Sequence, residues 1–257
     1  MKICLLGSGS KGNSTYIESH GDAILIDQGF SHKKLRERLE SRDLDPSKIK
    51  AILLSHEHED HIKGVGITAR KLAIPVYGTE GSLSKRNNIF NGGEQLVPID
   101  SGKTFSIGKL EILPFSVSHD AVDPVQYCVC AGNKKVSIAT DLGFVSTLVE
   151  QRLRDSDMVV IEANHDIEML KKGDYPWELK QRIMSKKGHL SNRNAADILF
   201  NLSQGKTKCA VLAHLSDENN TEELAEAAVR DIFERFDKRL KLLKVAKQTE
   251  ATPIVEI

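Results

Sequence analysis

The ten residues Ile52-Leu53-Leu54-Ser55-His56-Glu57-His58-Glu59-Asp60-His61 run from an apolar strand into the pattern H-x-H-x-D-H. Side chains two apart on a strand point the same way, so His56 and His58 can present imidazole nitrogens to one cation. Where the chain turns into a helix, Asp60 and His61 reach a second position close by. A histidine and carboxylate cluster of this density suits first-row transition metals and serves no purpose in packing. Three further ligand-type residues each stand just past the carboxyl end of an apolar run: His119 after residues 112–118, Asp141 after 136–140 and His214 after 209–213. One such residue alone is an ordinary polar strand end. Three of them, together with the cluster, extend the ligand set.

Positioning these side chains requires strands whose ends meet. The first half of the chain reads mostly as short strands, over residues 2–6, 14–18, 23–27, 50–55, 76–77, 110–116 and 126–130, with helices over 31–42 and after Asp60. The second half alternates strands at 136–140, 158–162, 209–214, 242–246 and 253–257 with helices at 166–172, 177–186, 191–203 and 221–240. In the last helix Val229, Ile232, Phe233, Phe236 and Leu240 recur at helical spacing and predict one buried stripe. Strands in both halves with helices between them predict an α/β chain of two packed sheets covered by helices. No repeat or linker interrupts it, so residues 1–257 are expected to form a single domain.

Lysine plus arginine and aspartate plus glutamate both number 36 among 257 residues, which excludes a uniformly basic coat but not a local basic groove. Residues 171–194 hold seven basic side chains (Lys171, Lys172, Lys180, Arg182, Lys186, Lys187 and Arg193) against Asp174 and Glu178. That segment reads either as the approach for a phosphate backbone or as a solvated face. Trp177 within it reads as a helix anchor in the core or as a base-stacking ring. Hydrophobic residues at 40% and charged residues at 28% exclude disordered and membrane classes. The N-terminal apolar run is too short for a signal peptide or a membrane span. Four cysteines without a C-x-x-C pair read as buried thiols, and the expected location is the cytoplasm.

Gly7-Ser8-Gly9-Ser10-Lys11-Gly12 matches the dinucleotide fingerprint G-x-G-x-x-G, but a β-rich run follows it where that fingerprint needs a helix. It reads instead as a tight loop between paired strands, with Ser8, Ser10 and Asn13 as candidate substrate contacts. His20 and His32, in turn and helix-start contexts, are expected to be exposed.

H-x-H-x-D-H preceded by the strand end Ile24-Leu25-Ile26-Asp27 and followed by lone His, Asp and His at strand ends resembles the metallo-β-lactamase fold superfamily. The resemblance implies a four-layer αββα sandwich and two divalent metal ions, zinc or manganese, with iron also accommodated. It implies that His56, His58 and His119 hold one ion, that Asp60, His61 and His214 hold the other, that Asp141 bridges and that Asp27 supports the site from behind.

No cysteine stands at a ligand position, unlike β-lactamases that use a thiolate. Gly188-His189-Leu190-Ser191 is similar to the nuclease branches that include tRNase Z. The opening Gly7-Ser8-Gly9-Ser10-Lys11-Gly12-Asn13-Ser14, the segment Glu162-Ala163-Asn164-His165-Asp166 and the ending His214-Leu215-Ser216-Asp217-Glu218-Asn219-Asn220 resemble the YycJ/WalJ family, whose members are taken to be DNA exonucleases working from 5′ ends. Neither the large insertion of the β-CASP nucleases nor the arm of tRNase Z is evident.

The resemblance implies a phosphodiesterase acting on single- or double-stranded DNA, with no membrane and no obligate protein partner. In such a site two cations about 3.5–4 Å apart share a hydroxide that attacks phosphorus. Asp60 would orient or deprotonate the water. His189 is the candidate acid for the departing sugar oxygen, since imidazole protonates near neutral pH, although it also reads as a helix-start residue beside a Ser191 cap. His165 is a candidate phosphate contact in the catalytic group, and Lys186, Lys187 and Asn219 are candidate substrate contacts. The competing readings are a hydrolase of a small thioester, lactone or lactam, an RNA-processing nuclease related to tRNase Z, and a metal-holding binding module without catalysis.

Overall fold

The loop over residues 7–12 joins two antiparallel strands, β1 (Lys2–Gly7) and β2 (Ser14–Ser19), with Ile3 opposite Ile17 and Cys4 opposite Tyr16. No helix opens after the loop, which removes the dinucleotide fingerprint as the sequence expects. The computed structural model describes residues 1–84 and 89–257, which divide into two compact units. The first comprises Met1–Ser116, Ala121–Asn133 and Lys247–Ile257, and the second Val117–Asp120 and Lys134–Ala246.

In the first unit β3 (Asp22–Ile26) runs antiparallel to β2. Helix α1 (His32–Glu40) starts where the Ser31 hydroxyl accepts from Lys34 N–H, and it buries Leu35 and Leu39 one turn apart. These two leucines share a cluster with Leu25 and Ile52, so β4 (Ile49–Leu53) returns parallel to β3 beneath the helix. Then come α2 (Glu59–Ile62), α3 (Val65–Leu72), β5 (Val76–Gly78), α4 (Glu80–Ser84) and β6 (Leu96–Pro98), with β5 and β6 added in parallel. A second, antiparallel strip follows: β7 (Phe105–Ile107), β8 (Leu110–Ser116) and β9 (Val125–Ala131). It closes on the first sheet of this unit, for buried Tyr127 donates its O–H to Leu54 O at 2.7 Å and Tyr77 stacks on Phe105 at 5.2 Å.

The second unit is a parallel sheet in the order β10 (Lys134–Ala139), β11 (Met158–Glu162), β12 (Cys209–Ala213), β13 (Leu242–Val245). Every residue of β11 is buried, as expected of a parallel strand covered on both faces. Its helices are α5 (Thr147–Leu153), α6 (Ile167–Lys172), α7 (Trp177–Ile183), α8 (Asn192–Ser203) and α9 (Glu222–Arg235). The chain ends in the first unit as β14 (Val255–Glu256), paired with β1.

Three local expectations need correction. Helix α9 stops at Arg235: Asp237 takes a left-handed φ of 49°, Lys238 N–H returns to Phe233 O at 2.9 Å, and Phe236 lies outside the helix, exposed, with its ring 4.6 Å from that of Phe200. The buried stripe therefore ends at Phe233. His32 is buried, not exposed, with Nδ1 3.3 Å from Thr68 Oγ1. Trp177 is 62% exposed and anchors nothing in the core. All four cysteines are free thiols, Cys4 and Cys128 buried and Cys130 and Cys209 half-buried. Among the described residues no helix is long and apolar enough to cross a membrane.

Candidate metal centre

Because β3 and β4 are parallel with Ile26 opposite Leu53, their carboxyl ends lie side by side and Asp27 meets the segment that follows β4. Asp27 accepts from Ser55 N–H at 2.8 Å, from the Ser55 hydroxyl at 2.7 Å and from His61 Nδ1 at 2.8 Å. With its proton committed to Asp27, the Ser55 oxygen accepts from His56 Nδ1 at 2.9 Å. The network thus assigns His56 and His61 as Nδ1–H tautomers and turns their Nε2 lone pairs toward a metal. His58 uses the other nitrogen, its Nδ1 facing His56 Nε2 at 3.1 Å. Tetrahedral zinc with Zn–N bonds of about 2.0–2.1 Å separates neighbouring nitrogens by ~3.3 Å, so this pair fits one ion.

Asp60 Oδ2 stands 3.3 Å from His61 Nε2 and accepts from Asn13 Nδ2 at 3.0 Å. Asn13 also donates its backbone N–H to the Asp60 carbonyl at 2.8 Å and holds Gly9 through both ends of its amide. A Cβ at Gly29 would collide with the Asp60 carbonyl and lie 2.8 Å from Asn13 N, so the contact between loop and helix requires a residue without a side chain.

In the second unit the parallel strands β10, β11 and β12 deliver Asp141, Glu162 and His214 to one edge. Glu162, fully buried, accepts on Oε1 from His189 Nδ1 and His214 Nδ1, both at 2.8 Å, and on Oε2 from Leu142 N–H at 3.1 Å and Leu190 N–H at 3.0 Å. Burial opposes its charge, but the neighbouring His189 and His214 and the hydrogen bonds they donate outweigh that and hold its carboxyl well below the usual range. Ligand-type atoms of Asp141, Glu162, His189 and His214 all lie within 4.8 Å of one another. His214 Nδ1 is 3.4 Å from Asp141 Oδ1, and His119 Nε2 is 3.9 Å from the same oxygen. His119 Nδ1 donates to Gly188 O at 3.3 Å, so its Nε2 is the ligating nitrogen. In each unit imidazole and carboxylate donors present the set that zinc, manganese or iron takes.

Glu162 is the member of this cluster that sequence reasoning missed, although it ends an apolar run as Asp141 and His214 do. The three strand-end residues Asp27, Asp141 and His214 share a left-handed backbone, with φ of 60°, 55° and 57°. That turn ends the strand and swings the side chain out of the pleat.

The other candidates divide. Ser8 is buried and Ser10 exposed at the loop, while Asn13 spends its amide on Gly9, Asp60 and His61. His165 is buried, and burial pushes its ring down to about 4; its backbone pairs with Ser191 and its carbonyl accepts from Asn192 N–H. Asn219 is buried too, its carbonyl accepting from Asp166 N–H at the start of α6. Lys186 and Lys187 are exposed, but Lys180 is not. Its Nζ donates to Lys171 O at 2.9 Å and Gly173 O at 2.6 Å, closing the end of α6, so it leaves the expected basic approach. Arg182 is exposed and paired with Asp120 at 3.0 Å, the residue after His119.

Residues 22–215 match the family model of the beta-lactamase superfamily domain. The chain is 38% identical to the exodeoxyribonuclease WalJ of Streptococcus pneumoniae over 100% of its own length and 98% of that protein's. It is 37% identical to the exodeoxyribonuclease YycJ of Bacillus anthracis over 91% and 89% of the two chains. Among solved structures, the metallo-β-lactamase fold protein YhfI of Bacillus subtilis superposes with a TM-score of 0.74 at 15% identity over 98% of both chains. Zn²⁺-bound PqqB of Methylobacterium extorquens superposes with a TM-score of 0.73 at 15% identity over the whole of both. The expected α/β sandwich is thus the fold that these proteins share.

Proposed function

Since the chain belongs to the beta-lactamase superfamily and, within it, to the family of the WalJ and YycJ exodeoxyribonucleases, we propose that it is a dinuclear metal-dependent exodeoxyribonuclease acting from 5′ ends. Full-length likeness to WalJ carries this reading, and the chemistry at Glu162 and His189 supports it.

In this reading residues 1–257 work as one domain. His56, His58 and His119 would hold one ion and Asp60, His61 and His214 the other, with Asp141 available to both and Asp27 fixing His61 and Ser55. When bound, two divalent ions, zinc, manganese or iron, supply Lewis acidity toward the phosphate oxygens and acidify a water molecule. Asp60, steadied by Asn13, would orient the attacking water and take its proton. His189, held through Nδ1 by Glu162, presents Nε2 and returns a proton to the departing sugar oxygen. Lys186 and Lys187 bind backbone phosphate. His165, neutral and enclosed, braces the segment that carries His189 through its pairing with Ser191. DNA as the substrate class and a cytoplasmic location, in keeping with four free thiols, complete the proposal.

The test is to incubate metal-reconstituted protein with 5′- and 3′-labelled single- and double-stranded DNA and RNA in Mn²⁺ or Zn²⁺. We expect nucleotides to be released stepwise from DNA 5′ ends, and His58→Ala to lose metal and activity together. Cleavage of RNA alone, turnover of thioesters, lactones or lactams without DNA cleavage, or full activity without metal overturns the reading.

A further inference from the structure

Phe144 is 38% exposed, three residues after Asp141. The Nζ of Lys186, three residues before His189, stands 5.9 Å from the centroid of its ring. Two short segments hold this pair in place. The Ser118 hydroxyl donates to Lys186 O at 2.8 Å, and Gly143 N–H donates to Ser118 O at 3.0 Å. Gly143 must lack a side chain, because a Cβ there would collide with the Lys186 carbonyl and lie 2.5 Å from Ser185 O. At the opposite ends of the same segments Asp141 Oδ1 and His189 Nδ1 are 3.9 Å apart. Three residues of chain span at most about 10 Å, so ring and ammonium stand within one nucleotide's reach of the proposed reacting groups.

An aromatic face beside a cation matches one nucleotide, with the base stacked on the ring and a phosphate against the ammonium. Neither group reads a base edge, so the contact tolerates any sequence, and a base can lie on the ring only where one of its faces is uncovered, as it is at the end of a strand. We propose that Phe144 and Lys186 form a stacking platform for the terminal nucleotide next to the scissile phosphate, with its base on the ring and its phosphate against the ammonium. This inference rests on the nuclease reading above.

The experiment titrates full-length protein in EDTA with single-stranded oligonucleotides carrying 2-aminopurine at the 5′ or the 3′ end, and follows fluorescence and Kd. Wild type quenches the probe. Phe144→Ala and Phe144→Leu lose the quench and bind about tenfold more weakly or worse, the effect of one aromatic–base stack. Phe144→Trp restores both, and Lys186→Ala weakens binding with a flatter salt dependence while keeping the quench at saturation. Equal binding and quenching by Phe144→Leu and wild type overturns the platform alone, provided that metal-loaded wild type degrades DNA. Absence of both DNA binding and DNA cleavage in wild type overturns the platform and the nuclease reading together.

Discussion

His189 donates from Nδ1 to Oε1 of Glu162 at 2.8 Å, on the same oxygen that holds His214. One buried carboxylate therefore sets the tautomer of the proposed acid and of a proposed ligand. Glu162→Gln places an NH₂ where either two imidazole N–H donors or the Leu142 and Leu190 amides need an acceptor. We expect kcat and metal affinity each to fall about 10–100-fold, read by steady-state kinetics and by metal analysis.

His189→Ala separates the two roles. Metal content should stay at the wild-type level while kcat on DNA falls about 10²-fold or more. A substrate with a 4-nitrophenolate leaving group, which needs no proton, should be spared. An equal loss on both substrates would assign His189 to structure.

Asp27 accepts three hydrogen bonds from Ser55 and His61. Asp27→Asn replaces one acceptor with a donor and releases a ring from its tautomer. The expected result, in chelator competition, is a loss of metal affinity of about 10–100-fold with the fold retained by circular dichroism.

The lysines of the basic segment should part company. Lys186→Ala and Lys187→Ala should each lower the slope of log Kd for DNA against log salt by about one. Lys180→Ala should leave that slope alone and destabilise the protein by about 1–3 kcal/mol, because its ammonium closes two backbone carbonyls at the end of α6. Denaturant melts and binding isotherms distinguish the two effects.

This division shows where the sequence is readable. His56, His58, Asp60 and His61 lie in one short run, so their spacing alone marks them, although β4 stops at Leu53 and Asp60 and His61 stand on α2, and Asp27, Asp141 and His214 announce themselves at the ends of apolar runs. Glu162 ends such a run too, but its meaning depends on partners 27 and 52 residues away. Counting charge places Lys180 beside Lys186, whereas only backbone packing shows that one is a helix cap. Helical spacing carries α9 on to Leu240, and the left-handed Asp237 that ends it leaves no mark on the apolar pattern.

His165 gives the protein a pH dependence of known sign. Burial lowers its ring from the ordinary 6.5 to about 4, so between those values the unfolded chain binds the extra proton. Stability of the metal-free protein should fall as pH falls through that window, by up to ~1.4 kcal/mol per pH unit from this group. His165→Gln should flatten that part of the profile in urea melts at stepped pH.

The positive φ at Asp27, Asp141 and His214 would set folding against the proposed activity. Each holds a side chain where glycine would rest more easily, at a cost of roughly 1–2 kcal/mol for a residue with a Cβ and less for aspartate. Descendants freed from the need to cut would drift toward glycine at these three turns and melt at higher temperatures. Conversely, screens that reward heat tolerance alone would strip out the very corners on which the proposed turnover depends.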